Sequence, residues 1–334
     1  MRRRTFFTSV MILAGLFGRQ ERAESEEAAG ALANVKTQTL GGKQFWTDLR
    51  FFHGWHIQKN SFTGHCRLLD GSNVRHAWGT YGQCVTALEA IRKEKKLPAM
   101  KGKLVICLHG LGRNSSAMAK MAKHLREQGK YHVINFTYAS LRAGVGDHAR
   151  ALASVMQHLD GVEEIHFVGH SLGNLVVRHY LADQTDKVRN RRPDPRIKRI
   201  VMLGPPNNAP LLAKKYGQNR AFELFAGQSG KQLGSDWKKL EKHLATPTCQ
   251  FAVIAGGFKN DVGGNPLLPG DDDLVVRVEE TRLPGARDFA VVPVRHTIIM
   301  DDPTVRRYTL RFLAQGHFIS DARRQPIAAK ADSK

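Results

Sequence analysis

Short apolar runs alternate with longer amphipathic stretches from residue 103 to about residue 315. The runs lie at residues 104–108, 133–136, 165–168, 200–203, 251–255 and 289–292. Each is short, is almost continuously apolar and is rich in Val, Ile, Leu and Phe. Such runs are typical of strands that are buried on both faces of a parallel sheet.

Amphipathic segments between these runs predict helices. They cover residues 116–128, 148–159, 172–182 and 303–313. The alternation of strands and helices predicts an α/β fold, with a doubly wound, mostly parallel sheet that carries helices on both faces. The chain has 334 residues, which suits one large domain of this kind. We place this domain at residues 45–318.

Three regions beside this pattern need separate interpretations. Residues 45–100 contain several aromatic side chains and a helical pattern near residues 85–95, and we expect them to pack on the main sheet rather than form a second domain. Residues 19–44 are rich in Glu and Ala and poor in large apolar side chains, which is typical of a linker. Residues 319–334 form a basic tail.

The N-terminus combines three consecutive arginines, Arg2 to Arg4, with an apolar run that ends at Phe17. This arrangement predicts a signal peptide or an N-terminal anchor over residues 1–18, and it also resembles a twin-arginine export signal. The apolar part is short for a membrane span, while a good cleavage site comes only near residues 31–33. We therefore expect a protein that is exported, to the periplasm or beyond the cell, or one that is anchored by its N-terminus.

The charge balance favours anionic partners. The formal net charge is +21, from 51 Lys and Arg against 30 Asp and Glu, which would attract the chain to an anionic membrane surface or another polyanion. A generally basic, solvated surface is the alternative interpretation. Basic clusters with interleaved aromatic residues are missing, so a nucleic-acid partner is not expected.

The four cysteines are Cys66, Cys84, Cys107 and Cys249. They form no C-x-x-C pair, and the pattern predicts no metal site. Cys66 and Cys84 flank a short polar segment and could form a disulfide in an exported protein.

The pentapeptide at residues 169–173, Gly-His-Ser-Leu-Gly, lies between a predicted strand and a predicted helix. A strand, a sharp turn and a helix are the context of a nucleophile elbow, in which the central serine is exposed at the end of the sheet. Gly169 and Gly173 leave room for that turn. Ser171 is therefore the candidate nucleophile. The alternative interpretation of the same pentapeptide is a glycine-rich turn in which the serine only caps the helix.

A serine hydroxyl needs a neighbouring base, and that base is oriented by a carboxylate. In this fold the acid follows the serine in the chain and the histidine comes last. The histidines after Ser171 are His179, His243, His296 and His317. His296 is the candidate base, because it alone follows a predicted strand at the carboxyl edge, where Ser171 also emerges.

Three consecutive aspartates provide the candidate acids. Asp271, Asp272 and Asp273 lie in the loop between the last two predicted strands. Two of them are expected to have only turn or surface roles. Asp261 is a further candidate in the same interval.

Residues from about 103 to 315 resemble the lipase/esterase-like α/β-hydrolases. The resemblance rests on residues 108–113 (Leu-His-Gly-Leu-Gly-Arg), 169–173, 203–208 (Leu-Gly-Pro-Pro-Asn-Asn), the aspartate loop and residues 293–296 (Pro-Val-Arg-His). It implies that Asp273 is the acid, with Asp272 as the alternative, because Leu274 stands where these families usually have glycine. It also implies that the backbone N–H groups of Leu111 and Leu172 form an oxyanion hole.

The resemblance further implies a short lid-like region at residues 205–248, which could cover an acyl pocket or serve only as packing helices. The expected activity is that of a serine hydrolase which cleaves carboxylic esters through an acyl-enzyme intermediate, without a cofactor or a metal. The expected substrate is an ester or an acylated, lipid-like molecule. A thioesterase, an amidase or an acyltransferase would use the same residues, and a catalytically vestigial protein that binds membranes or polyanions is the alternative of a different class.

Overall fold

The computed structural model describes residues 36–39, 44–185, 192–216, 220–258 and 264–329. The predicted signal peptide or anchor at residues 1–18 lies outside them. Within the described ranges, no helix has both the length and the apolar character that crossing a membrane requires.

The N-terminal part forms a separate five-stranded antiparallel sheet. Its strands, β1 (Thr37–Gln38), β2 (Trp46–Phe52), β3 (Trp55–Asn60), β4 (Cys66–Leu69) and β5 (Val74–Gly79), have the spatial order β1-β5-β4-β3-β2. Helix α1 (Tyr81–Glu94) follows this small sheet. These strands pair with one another as a sheet of their own, and Phe51 and Ile57 belong to the same hydrophobic core as Ile106 of the main sheet, so the region packs against the main sheet as expected. β1 also lies within the predicted linker, so that part of residues 19–44 belongs to the small sheet.

The six predicted strands form a second, fully parallel sheet, the main sheet. They are β6 (Lys103–Leu108), β7 (His132–Phe136), β8 (Glu164–His170), β9 (Ile197–Leu203), β10 (Gln250–Gly256) and β11 (Asp288–Val292), in the order β11-β10-β9-β8-β6-β7. Alternate residues of a strand enter different cores, as Ile106 and its neighbour Val105 do. Both faces are therefore buried, which explains the continuous apolar runs and confirms the predicted α/β fold.

Helices cover both faces of the main sheet. They are α2 (Ala119–Gly129), α3 (Val145–Met156), α4 (Leu172–Asp183), α5 (Leu211–Tyr216), α6 (Arg220–Leu233), α7 (Trp237–Glu241), α8 (Val278–Thr281) and α9 (Pro303–Gln315). Leu152 of α3 and Val176 of α4 belong to one core, whereas Leu125 of α2 and Phe312 of α9 belong to the other. The four helices predicted from amphipathic patterns are all present, with ends shifted by one turn or less.

Asp48 of β2 joins the small sheet to the main sheet. Its fully buried carboxylate accepts a hydrogen bond from the Thr137 N–H, just after β7, at 2.6 Å, and its own N–H donates to the Thr137 carbonyl at 2.9 Å. Gln58 donates to the other carboxylate oxygen at 2.8 Å, and the His56 ring nitrogen Nδ1 lies 2.9 Å from it. A buried carboxylate is costly unless it is hydrogen-bonded, so these bonds fix how the two sheets meet.

The structure also answers two smaller expectations. Cys66 and Cys84 form no disulfide, because both are buried free thiols, and burial raises the pKa of Cys84 to about 12. The first part of the predicted basic tail packs on the domain, since Ile327 N–H donates to the Ala286 carbonyl at 2.9 Å and the Ile327 carbonyl accepts from Gly285 N–H at 3.0 Å.

Candidate active site

Ser171 lies at a sharp turn between β8 and α4. Its φ is 51° and its ψ is −120°, a backbone conformation that side-chain-bearing residues rarely adopt. A Cβ added at Gly173 would lie 2.7 Å from the Leu108 carbonyl oxygen, and one at Gly169 would lie 2.3 Å from Asn174 Oδ1. Only glycine fits at these two positions, as the pentapeptide predicts, so the local geometry is that of a nucleophile elbow.

His296 and Asp273 form a buried pair. Nδ1 of His296 lies 2.7 Å from Oδ2 of Asp273, and the His296 N–H donates to the Asp273 carbonyl at 2.9 Å. The other oxygen of the Asp273 side chain accepts from the N–H groups of Val275, at 3.1 Å, and Val276, at 2.8 Å. Asp273 has no solvent exposure. Both partners are therefore held in one geometry by the backbone around them.

Space for this pair is provided by two glycines at the carboxyl ends of neighbouring strands. A Cβ added at Gly204, after β9, would lie 3.1 Å from His296 Nδ1. One added at Gly256, the last residue of β10, would lie 2.7 Å from the Asp273 Cβ. The strands β9 and β10, which lie on one side of β8, thus make room for the His296–Asp273 pair beside the elbow.

Asp272 does not contact His296 in this way; it organises the aspartate loop. Its carboxylate accepts from the N–H groups of Leu274, at 2.7 Å, and Gly264 and Asn265, both at 3.1 Å. Leu274 has a φ of 83°, the left-handed conformation that usually requires glycine. Leu274 therefore adopts the backbone conformation for which the related families use glycine. The partner of His296 is Asp273, and the alternative, Asp272, is wrong.

The remaining aspartate candidates are in other positions. Asp271 accepts a hydrogen bond from the Phe258 N–H at 2.6 Å and so holds the end of β10 to the loop. Asp261 lies outside the described residues.

Ser171 and His296 line one cavity of about 280 Å³. It opens at the carboxyl edge of the main sheet, and its other lining residues are largely apolar; they are Leu111, Arg113, His170, Pro206, Pro210, Leu212, Ala213, Leu233, Val275, Val276 and Thr297. Ser171 Oγ makes no hydrogen bond to the His296 ring in this arrangement, and such bonds are often long in hydrolases without substrate. The structure thus brings together Ser171 and His296, predicted from the chain order, and Asp273, which the resemblance implied.

The loop after β6 faces the elbow closely. A Cβ added at Gly110 would lie 2.9 Å from His170 Nδ1 and 3.2 Å from the Ser171 Cβ. The next residue, Leu111, lines the cavity, and Leu172 is the first residue of α4. Both predicted oxyanion residues are therefore adjacent to Ser171.

Two residues that sequence analysis missed hold this loop. Ser140 accepts a hydrogen bond from the Gly112 N–H at 3.1 Å and donates to Gln44 Oε1 at 3.4 Å. The amide nitrogen of Gln44 donates in turn to the Arg113 carbonyl. Gln44 precedes β2 and lies in the predicted linker, so nothing in the local pattern could have indicated this contact.

His170 is a third residue whose importance the sequence did not indicate. Its Nε2 lies 3.0 Å from the His296 carbonyl, and since a carbonyl only accepts, Nε2 carries the proton. The two rings lie 4.8 Å apart. The pKa of His170 lies well below its ordinary value, mainly because the ring is buried and also because His296 and Arg113 are close. A neutral His170 thus connects the elbow to the histidine loop.

We expect His170→Phe to lower kcat roughly 10- to 100-fold, because the loop that carries His296 loses its hydrogen bond to the elbow. His170→Gln should recover much of this activity, since its amide can donate to the same carbonyl. His166→Phe, a buried histidine on the same strand without a contact to His296, is the matched control. Steady-state kinetics on a soluble ester, the substrate type that the sequence resemblance implies, measures the effect, and full kcat in His170→Phe would refute the positioning role.

The lid-like region at residues 205–248 forms α5, α6 and α7. Leu212, Ala213 and Leu233 line the cavity, while Trp237 and Leu240 belong to the main core. The region therefore both lines the cavity and packs in the core, and its role as a lid stays a prediction. The side chains of residues 216–225 are outside the description.

Metal ligands were not expected. Across the part of the chain that the structure describes, no three His, Cys, Asp or Glu side chains are grouped so that they could hold a metal ion.

Solved structures with a similar overall fold come from several bacteria. A protein from Listeria innocua is 18% identical over 70% of this chain and 99% of its own, with a TM-score of 0.46. Phospholipase PlaB from Legionella pneumophila, in complex with thio-NAD, is 19% identical over 54% of this chain and 44% of its own, with a TM-score of 0.42. A thermophilic esterase from Thermogutta terrifontis is 15% identical over 66% of this chain and 92% of its own, with a TM-score of 0.41.

Curated proteins give no significant sequence match to this chain. The sequence profile described as "Alpha/beta hydrolase family", in contrast, matches residues 105–326, which is well over half of the chain. That range contains the parallel main sheet, the elbow and the His296–Asp273 pair. The protein therefore belongs to the alpha/beta hydrolase family.

Proposed function

We propose that this protein is a serine hydrolase that cleaves carboxylic esters through an acyl-enzyme intermediate. The observation that carries the proposal is the buried His296–Asp273 pair, whose histidine lines one apolar cavity with Ser171 at a nucleophile elbow. Family membership alone does not fix a reaction. The side-chain chemistry at this site is what favours acyl transfer.

The proposed reaction starts with attack of Ser171 Oγ on the ester carbonyl carbon. Nε2 of His296 takes the hydroxyl proton, and the Asp273 carboxylate holds the opposite ring nitrogen and stabilises the imidazolium. Collapse of the tetrahedral intermediate breaks the C–O bond to the alcohol, which receives the proton from His296. Water then attacks the acyl-enzyme with the same histidine as base, and the carboxylic acid leaves Ser171.

The backbone N–H groups of Leu111 and Leu172 are the proposed oxyanion hole. Among the hydrogen bonds of the described residues, neither N–H donates to a protein acceptor, so both are free to bind an oxyanion. The Leu172 N–H lies at the N-terminus of α4, where the helix dipole adds to the attraction. Each donor of this type contributes about 3 kcal/mol to the transition state.

The cavity supports an acyl group as its occupant. Most of its lining is aliphatic, including Leu212, Leu233 and Val276, and offers few hydrogen-bonding side chains to a polar substrate. A lipid-like ester that reaches the protein from an anionic membrane surface is consistent with the net charge of +21. We therefore propose acyl esters of this kind as the substrate class.

A panel of p-nitrophenyl esters from acetate to palmitate tests this function, together with labelling by a fluorophosphonate. We expect hydrolysis with a preferred chain length, and a single label on Ser171 that prior incubation with the preferred ester slows. A matching panel of thioesters and anilides distinguishes a thioesterase or an amidase, and added alcohol acceptors reveal acyl transfer. A folded protein that neither hydrolyses any ester nor reacts with the label would contradict the proposal and favour the membrane- or polyanion-binding alternative.

A further inference from the structure

Arg113 lies in the wall of the apolar cavity and differs in character from its surroundings. Among the described residues that line the cavity, it is the only Lys, Arg, Asp or Glu. The residue follows the Leu111–Gly112 part of the loop after β6, directly beside the proposed oxyanion hole. Arg113 is exposed to solvent, so its charged guanidinium lies at the open rim of the apolar cavity, where a bound substrate would meet it.

The protein holds this guanidinium in place without neutralising it. Its Nη2 donates to the Thr297 carbonyl, one residue after His296, and its own carbonyl accepts from Gln44. No carboxylate of the described residues lies within ion-pair distance of Arg113. A guanidinium has five N–H donors, and among the described residues only the Thr297 backbone carbonyl accepts a hydrogen bond from the Arg113 side chain. The Arg113 guanidinium is therefore fixed in position and charged, and most of its N–H donors have no acceptor among the described residues.

The positive charge of Arg113 acts electrostatically on residues next to Ser171. Arg113 contributes to lowering the pKa of His170 and that of His109, although burial of the two rings is the larger cause in both. His170 directly precedes Ser171 in the chain. A negatively charged group on a substrate bound at Ser171 would therefore lie in a field that favours it.

We infer that Arg113 is a specificity-determining residue that binds a negatively charged group of the substrate, so that the preferred esters carry a carboxylate or a phosphate close to the apolar acyl chain. This inference rests on the proposed ester hydrolysis and names its substrate class more closely. Both anions match the planar, forked donors of arginine. Neutral esters of the same size would occupy the cavity but leave the guanidinium without its partner.

A purely structural role predicts a different result. Arg113 also connects the loop after β6 to the loop of His296, and a connection of this kind would affect every substrate equally. A binding role affects only the anionic substrates. The ratio of kcat/KM between an anionic and a neutral ester of similar shape therefore separates the two roles.

The test uses two substrate pairs. Mono-p-nitrophenyl glutarate is compared with p-nitrophenyl valerate for the carboxylate, and dihexanoyl phosphatidic acid with dihexanoylglycerol for the phosphate. The full chain is measured as wild type, Arg113→Met and Arg113→Lys. Lys123→Met, which removes one positive charge from an exposed site on α2, is the control for general electrostatic effects.

We expect the wild type to prefer the anionic member of at least one pair, and the pair that shows the preference identifies the anion. Arg113→Met should lower kcat/KM for that anionic ester by roughly tenfold or more, as expected for a lost charge-assisted contact, and change the neutral ester less than about threefold. Arg113→Lys should retain part of the preference, and Lys123→Met all of it.

Two results would overturn the inference while the proposed function stands. One is a wild type without preference for either anionic ester, and the other is an equal loss on anionic and neutral esters in Arg113→Met, which would leave only the structural role. If the wild type hydrolyses none of the four esters, the proposed function itself fails and the inference fails with it.

Discussion

Replacing Ser171 by alanine is expected to lower kcat by a factor of about 10⁵ or more on any ester that the wild type hydrolyses. The hydroxyl is the only proposed nucleophile, and neither His296 nor the oxyanion donors can replace it. Alanine keeps the Cβ and the strained backbone of the elbow, so the fold should not change. Initial rates with a p-nitrophenyl ester, measured against a blank without protein, determine the residual activity.

Ser116→Ala is the matched control, because this serine lies on the short 3₁₀ turn before α2, outside the cavity, and its hydroxyl donates to Asn114. It should retain wild-type kcat. Thermal unfolding of both variants verifies that they are folded. Wild-type hydrolysis by a folded, sequence-verified Ser171→Ala protein would refute the whole assignment of the site.

Asp273→Asn should be the second most damaging single change. In the proposed reaction, the carboxylate holds the Nδ1 proton of His296 and stabilises the imidazolium that forms when His296 takes the proton from Ser171. An amide in its place favours the wrong tautomer and removes the charge, for which a loss of about 10⁴ in kcat is expected. KM should change little, because the interaction acts mainly in the transition state.

The neighbouring aspartates make this prediction specific. Asp271→Asn should retain nearly full activity, since this side chain accepts from the Phe258 N–H and takes no part in the His296–Asp273 pair. Asp272→Asn should lower the free energy of unfolding by about 1–3 kcal/mol, because a buried acceptor of three backbone N–H groups is weakened, while the folded fraction still turns over. An inactive but folded Asp272→Asn together with an active Asp273→Asn would contradict the geometry of the His296–Asp273 pair.

The main sheet was predictable from sequence because strands that are buried on both faces have continuously apolar sequences. Strands such as β9 and β10 read as continuous apolar runs, and no partner needs to be known to recognise them. The elbow was equally local, since Gly169 and Gly173 are required by contacts within a few residues or with the adjacent strand. His296 followed from its position after β11 at the same edge of the sheet.

The parts that could not be predicted depend on contacts between distant segments. The small sheet mixes polar and apolar residues on both faces, and its buried Asp48 has partners that no periodicity indicates. His170 occupies a variable position of the pentapeptide, and its bond to the His296 loop exists only in the folded chain. Leu274 departs from the expected glycine in sequence but not in conformation, because its φ of 83° is visible only in the structure.

The bond between Gln44 and the loop after β6 has a practical consequence for anyone who produces this enzyme in shortened form. A shortened protein that begins at Trp46, the first residue of β2, would keep every residue of the two hydrophobic cores and would be expected to fold. It would lack the Gln44 side-chain amide, which hydrogen-bonds to the Ser140 hydroxyl and to the Arg113 carbonyl. The loop that carries the proposed oxyanion donor Leu111 would then be held less firmly. Low turnover of such a trimmed protein would reflect the cut and not the native catalyst, so recombinant versions should begin well upstream of residue 44.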